Sequence, residues 1–119
     1  MTNQIMLITK DDSLNLHIEK VKGSTEILWV HTGKACLHLI QKTPVSIALV
    51  DDRISDIPPL SLVEQIREIN VDTVIVYLAN VHSTSLEMKV RQLGSLYCSV
   101  TDDDYVTLDK FLCQAIEIR

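Results

Sequence analysis

Val45-Ser-Ile-Ala-Leu-Val-Asp-Asp52 is a short apolar run that stops on two acids. An earlier run, Ile5-Met-Leu-Ile8, is followed by a second acidic pair, Asp11-Asp12. Runs of this length without polar alternation read as strands buried on both faces. Two such strands with carboxylates on their tails predict an acidic cleft at one end of a parallel sheet. Open α/β sheets place their ligands in that position.

Outward from these runs, strand and helix alternate five times. Leu14, Ile18 and Val21 recur at helical spacing after the first strand, with Asp12 or Ser13 as the cap and Gly23 as the stop. Ile27-Leu-Trp-Val30 is the second strand. Thr32 or Gly33 opens a short helix with Ala35, Cys36, Leu39 and Ile40 inward. Pro44 ends it, because proline has no amide hydrogen to give. After the third strand and the loop Asp56-Ile-Pro-Pro59, Leu62, Val63, Ile66 and Ile69 mark a third helix. Thr73 to Leu78 is a strongly β-branched fourth strand. Thr84 and Glu87 have the spacing of a capping box, Leu86, Val90 and Leu93 line the fourth helix, and Gly94 closes it. Leu96 to Val100 is the fifth strand. Asp102-Asp-Asp104 places negative charge at the start of a last helix, whose apolar face is Leu108, Leu112, Ala115 and Ile116. The pattern predicts an α/β fold, a doubly wound five-stranded parallel sheet with helices on both faces, in one domain over residues 1–119.

The composition is 46% apolar and 23% charged, as expected of a soluble globular protein. A net charge of −5 argues against binding nucleic acid or an anionic membrane, since neither attracts an acidic surface. No apolar stretch approaches the roughly 20 residues that span a bilayer. No basic segment followed by an apolar one marks a signal peptide near the first residue. Cys36, Cys98 and Cys113 are odd in number and far apart, which predicts free thiols in a reducing, cytoplasmic setting. His17, His31, His38 and His82 are scattered, without metal-ligand spacing. There is no Gly-x-Gly-x-x-Gly after the first strand and no Gly-x-Ser-x-Gly elbow, so neither a dinucleotide site nor a hydrolase nucleophile is expected. No nucleophile and base pair is evident, and the chain is not read as an enzyme.

The stretch Ile47-Ala-Leu-Val-Asp-Asp-Arg-Ile-Ser-Asp-Ile-Pro-Pro-Leu-Ser-Leu-Val-Glu-Gln-Ile66 resembles the receiver domain of bacterial two-component response regulators, the CheY-like family. With Asp51 in the position of the phosphorylatable aspartate, Arg53, Ile54, Leu60 and Ile66 fall in register without a gap. Asp11-Asp12-Ser13-Leu14 resembles the family's acidic segment after the first strand, and Leu93-Gly94-Ser95 its glycine-small pair before the fifth. The resemblance covers nearly the whole chain. It implies a flavodoxin-like (βα)5 three-layer sandwich and a role in phosphorelay signal transduction. Asp51 would be the phosphoacceptor, with Asp11, Asp12 and Asp52 in the acidic pocket. It also implies a magnesium ion held by Asp11, Asp51 and the backbone carbonyl of Arg53, a partner histidine kinase or other signalling protein, and Tyr97 as the switch aromatic. The implied contact surface is the face of the fourth helix, fifth strand and fifth helix. It includes Met88, Arg91, Tyr97, Tyr105 and Lys110, and homodimers could form through it.

The departures from the family pattern predict an impaired pocket. Lys10 stands where the first pocket acid belongs. Leu78-Ala79 stands where a hydroxyl residue ends the fourth strand, and Val100 or Thr101 where a lysine ends the fifth. Lys10 is expected either to sit at the solvated rim or to place its ammonium beside Asp51 in the metal's position. Asp11 and Asp12 either cap the first helix or enter the pocket. Together these changes predict weak or absent magnesium binding, slow or lost phosphorylation, and a module that works by protein contact. The alternative is a flavodoxin-like domain binding a small ligand, although Lys10-Asp11-Asp12-Ser13 is a poor phosphate cradle because its acids repel the anion.

Overall fold

The computed structural model describes residues 4–21, 23, 25–100 and 105–118, with side chains described as far as residue 114. Five strands and five helices alternate: β1 (Gln4–Ile8), α1 (Asp12–Val21), β2 (Glu26–Val30), α2 (Gly33–Ile40), β3 (Ile47–Asp51), α3 (Pro59–Ile69), β4 (Val74–Ala79), α4 (Thr84–Gln92), β5 (Leu96–Ser99) and α5 (Val106–Ile118). All neighbouring strands pair in parallel, in the order β2-β1-β3-β4-β5. This is the doubly wound, flavodoxin-like arrangement expected from the sequence. Its strand order reverses direction between β1 and β3, which opens a crevice at the carboxyl ends of those two strands.

Each strand divides its side chains between two cores, as a period of two requires. Ile5, Leu7, Ile47, Leu49, Val76 and Leu78 pack with Leu14 and Ile18 of α1 and with Leu108 and Leu112 of α5. Met6, Ile8, Ala48, Val50, Ile75 and Tyr77 pack with Cys36 and Ile40 of α2, with Leu62, Val63 and Ile66 of α3, and with Val90 of α4. The three layers therefore follow from runs that are apolar at every position. All five β3 residues, Asp51 included, are buried. Burying one such aliphatic side chain contributes roughly 1.5–3 kcal/mol.

The boundaries differ from expectation in small, explicable ways. Helix α1 is capped by Asp11 rather than by Asp12 or Ser13: its carboxylate accepts from the Ser13 amide at 2.9 Å, and its carbonyl accepts from Asn15. Helix α4 is capped by Ser83, whose hydroxyl accepts from the Leu86 amide at 3.3 Å, so Thr84 is the first helical residue and no capping box forms. Val21 and Ile69, expected inward, lie at helix ends and are 37% and 39% exposed. Gly23 and Gly94 take φ of 62° and 74°, the left-handed geometry that ends a helix at least cost in glycine. Strand β5 stops at Ser99, so Val100 lies just beyond it. Thr101 and the acids at 102–104 lie outside the described residues.

Candidate functional site

The parallel register brings the ends of β1 and β3 side by side, with Ile8 opposite Val50. The next residues along each strand, Thr9 and Asp51, therefore meet. The Thr9 hydroxyl donates to Asp51 Oδ2 at 2.6 Å, and both residues are buried. Asp51 is 2% exposed, yet neither carboxylate oxygen lacks partners. Oδ2 accepts from Thr9 and from Arg53 Nη2 at 2.9 Å and Nε at 3.2 Å. Oδ1 accepts from the Arg53 amide at 3.0 Å, from Arg53 Nε at 3.1 Å and from Asn80 Nδ2 at 2.9 Å. A buried carboxylate requires such partners, because an unpaired charge there would be severely destabilising.

Arg53 carries the site's positive charge. Its Nη2 also donates to Asp11 Oδ2 at 2.8 Å, so one nitrogen joins the acid after β1 to the acid at the end of β3. Beside them, Asn80 follows β4 and ties Asp52 into the same network. Its amide nitrogen lies 3.3 Å from both Asp52 oxygens, and its Nδ2 lies 2.8 Å from Asp52 Oδ1. A cleft of about 490 Å³, lined by Lys10, Asp11, Asp12, Ser13, Asp51 and Arg53, opens over these groups.

The electrostatics follow from these contacts. Burial pushes the Asp51 carboxyl up, but hydrogen bonds from Arg53 and Thr9 outweigh it and hold the group below its ordinary value. At Asp11 the hydrogen bond from Arg53 has the largest influence and exceeds the opposing effect of burial, again lowering the value. Arg53 is correspondingly held more firmly in its charged form, first by Asp51 and then by Asp11. Charge-assisted, forked pairing of this kind is among the stronger polar contacts proteins make.

The structure brings Asp11, Asp51, Asp52 and Arg53 into one hydrogen-bonded network and places the other candidates around or outside it. Lys10 is exposed at the cleft rim and forms none of the described ion pairs; the cation beside Asp51 is Arg53. The small polar residue that enters next to Asp51 is Thr9, because it lies one position nearer the strand. Asp12 is the exposed first residue of α1 and lines the cleft. Leu78 does not rim the pocket: its side chain is fully buried in the α1 and α5 core, and only its carbonyl reaches the loop, accepting from the Asp52 amide at 3.1 Å. Ala79 is buried on the opposite face, with its carbonyl accepting from Val100. Val100 packs against the α1 and α5 core rather than reaching the acids.

Thr9 and Asn80 are site residues that the sequence did not single out, and Arg53, expected at the pocket rim, turns its side chain onto both acids. Their signal was positional: each lies one or two residues past the end of a central strand. Tyr97 is buried at 6% exposure, with its ring 6.3 Å from that of Tyr77. Its hydroxyl accepts from the Ser83 amide at 3.3 Å and lies 3.0 Å from His82 Nδ1, which ties β5 to the loop before α4. Tyr105 does not face α4: its ring stacks on His17 of α1 at 4.4 Å.

The Arg53 guanidinium lies between the two carboxylates that the resemblance implies for a divalent metal. Among the described residues no three His, Cys, Asp or Glu side chains form a metal-binding group. The two carboxylates nearest the implied position, those of Asp11 and Asp51, already share a guanidinium. A hard dication prefers several free oxygens, and here it would meet a fixed positive charge.

No family model matches this chain, and no curated protein matches it. Solved structures do. A two-component response regulator from Clostridium difficile superposes with a TM-score of 0.85 at 13% identity, covering 98% of this chain and 97% of that one. A CheY-like receiver domain protein from Methanospirillum hungatei gives 0.83 at 14% identity over 100% of both chains. An orphan response regulator of H. pylori gives 0.83 at 17% identity over 96% of both. Together with the strand order and the acids gathered at the β1 and β3 ends, these likenesses show that the chain has the fold of the CheY-like response-regulator receiver domains.

Proposed function

We propose that this chain is a receiver-type signalling domain of a two-component pathway, held in one state by its own pocket and acting by protein contact rather than by catalysis. The observation that carries this reading is the occupancy of Asp51. Thr9, Arg53 and Asn80 donate to both of its oxygens. Attack on phosphorus requires a free oxygen lone pair in line with the leaving group. It also requires positive charge placed to offset the charge gathering on the phosphoryl oxygens. Here the cation beside Asp51, Arg53, is engaged by the acids themselves. Depression of the carboxyl pKa further weakens its oxygens as nucleophiles.

A histidine kinase or another signalling protein is the partner class this fold suggests. The face of α4, β5 and α5 is the proposed surface, where Met88 is 58% exposed and Lys110 is also exposed. Homodimers through this face belong to the same proposal. The alternative of a flavodoxin-like domain binding a small ligand is less favoured, because three of the six residues lining the cleft are acids and its Arg53 is already paired with two of them.

The test is intact mass after incubation with acetyl phosphate and magnesium. The expected result is an unchanged mass. Gain of one phosphoryl group in the wild type, absent in Asp51→Asn, would overturn the fixed-state reading.

A further inference from the structure

We infer that the Arg53 guanidinium is a built-in counter-cation, filling the place between Asp11 and Asp51 that a hard divalent ion would otherwise take and keeping such an ion out. The inference rests on the receiver reading above and names what holds that pocket closed.

Three observations carry it. First, a single nitrogen, Nη2, lies 2.8 Å from Asp11 Oδ2 and 2.9 Å from Asp51 Oδ2. A bridging point between carboxylate oxygens from two separate segments of the chain is where an oxygen-seeking dication binds. Second, Asp51 is 2% exposed while the Arg53 side chain is 50% exposed. The acid therefore depends on this cation, whereas the cation's stem can leave without opening the core. Third, the surroundings remain acidic. Asp52 is tied to Asp51 through Asn80, a neutral bridge, so the network holds a third carboxylate that Arg53 does not pair. Lys10 lines the same cleft but is exposed and outside the described ion pairs. Removing the charge at position 53 would leave a buried carboxylate that must take up either a proton or another cation. The released carboxylate oxygens of Asp11 and Asp51 are hard donors, suited to magnesium or manganese rather than to softer metals.

The experiment titrates manganese alone into the whole chain and reads paramagnetic broadening of the amides beside Asp11 and Asp51. Arg53→Met keeps the aliphatic stem and removes the charge. If it does not fold, Arg53→Gln carries the comparison. Thermal unfolding of each variant confirms the fold. Manganese affinity is expected to rise by at least about tenfold, the lower end of what altering a metal's surroundings produces. Adding Asp51→Asn should abolish the gain, and Lys10→Ala should change affinity far less than Arg53→Met. Equal affinity in the wild type and the folded charge-removal variant, or no binding in either, would overturn the inference. The outcomes separate from those of the proposed function. Phosphoryl gain by wild-type Asp51 with the manganese result intact sinks only the fixed-state reading. Unaltered manganese affinity without phosphoryl gain sinks only the counter-cation.

Discussion

Asp51 sits at the end of a strand buried on both faces, and its neighbours decide what chemistry is open to it. Its charge is balanced by Arg53 two residues later, by a hydroxyl from the adjacent strand and by an amide from β4's tail. This arrangement makes a prediction about acid. The folded chain holds the carboxyls of Asp51 and Asp11 below 3.8, so the unfolded chain takes up their protons first as pH falls. Their contribution to stability is therefore complete above 3.8 and declines as pH drops through the lower folded values. Urea denaturation at neutral pH, and at steps below 3.8, should show the midpoint falling. The fall should be shallower in Asp51→Asn, which has no charge to lose. A midpoint as steeply pH-dependent in that variant as in the wild type would show that these contacts do not set the acid limit. Little of this was legible in sequence. Arg53 fell in register, but a residue's number does not say whether its side chain folds back onto the strand it follows. Lys10 drew attention because of its charge, whereas burial at the strand end selected the smaller Thr9.

At the scale of elements, helix ends show how propensity and context divide the decision. Thr84 and Glu87 have the capping-box spacing, yet the chain uses Ser83, whose extended backbone (φ −147°, ψ 126°) turns its hydroxyl onto the Leu86 amide. Ser83→Ala should therefore cost about 0.5–2 kcal/mol, and Thr84→Ala much less, in thermal or denaturant unfolding. The reverse order would restore Thr84 as the cap. Helix α2 shows a longer-range device. The Asp56 carboxylate, from the loop after β3, accepts from the Gly33 and Lys34 amides at 2.9 Å each, while Ile57 closes over Gly33. A Cβ at Gly33 would lie 3.0 Å from Ile57 Cδ1. The segment leaving Asp51 is thus fixed at Arg53 by the acids and at Asp56 by α2. No local sequence rule reports that second tie, since it joins residues 22 and 23 positions apart.

Across the whole molecule, the fold was readable because strand runs apolar at every position can be satisfied only between two helical layers. Pro44, Gly23 and Gly94 then limited where α2, α1 and α4 could end. The site was readable only as an acidic cleft, because the switch between β1 and β3 follows from topology while the identity of its cation follows from side-chain direction. If the central claim holds, the molecule has one pocket state, linked through Asn80 to β4 and separately braced by Tyr97 against the loop before α4. The most direct test is the amide NMR spectrum of the wild-type chain before and after adding beryllofluoride with magnesium, a mimic of a phosphorylated carboxylate. The account predicts unmoved resonances at Asp51, Asn80 and Tyr97. Saturable shifts that begin at Asp51 and extend to β5 would contradict it.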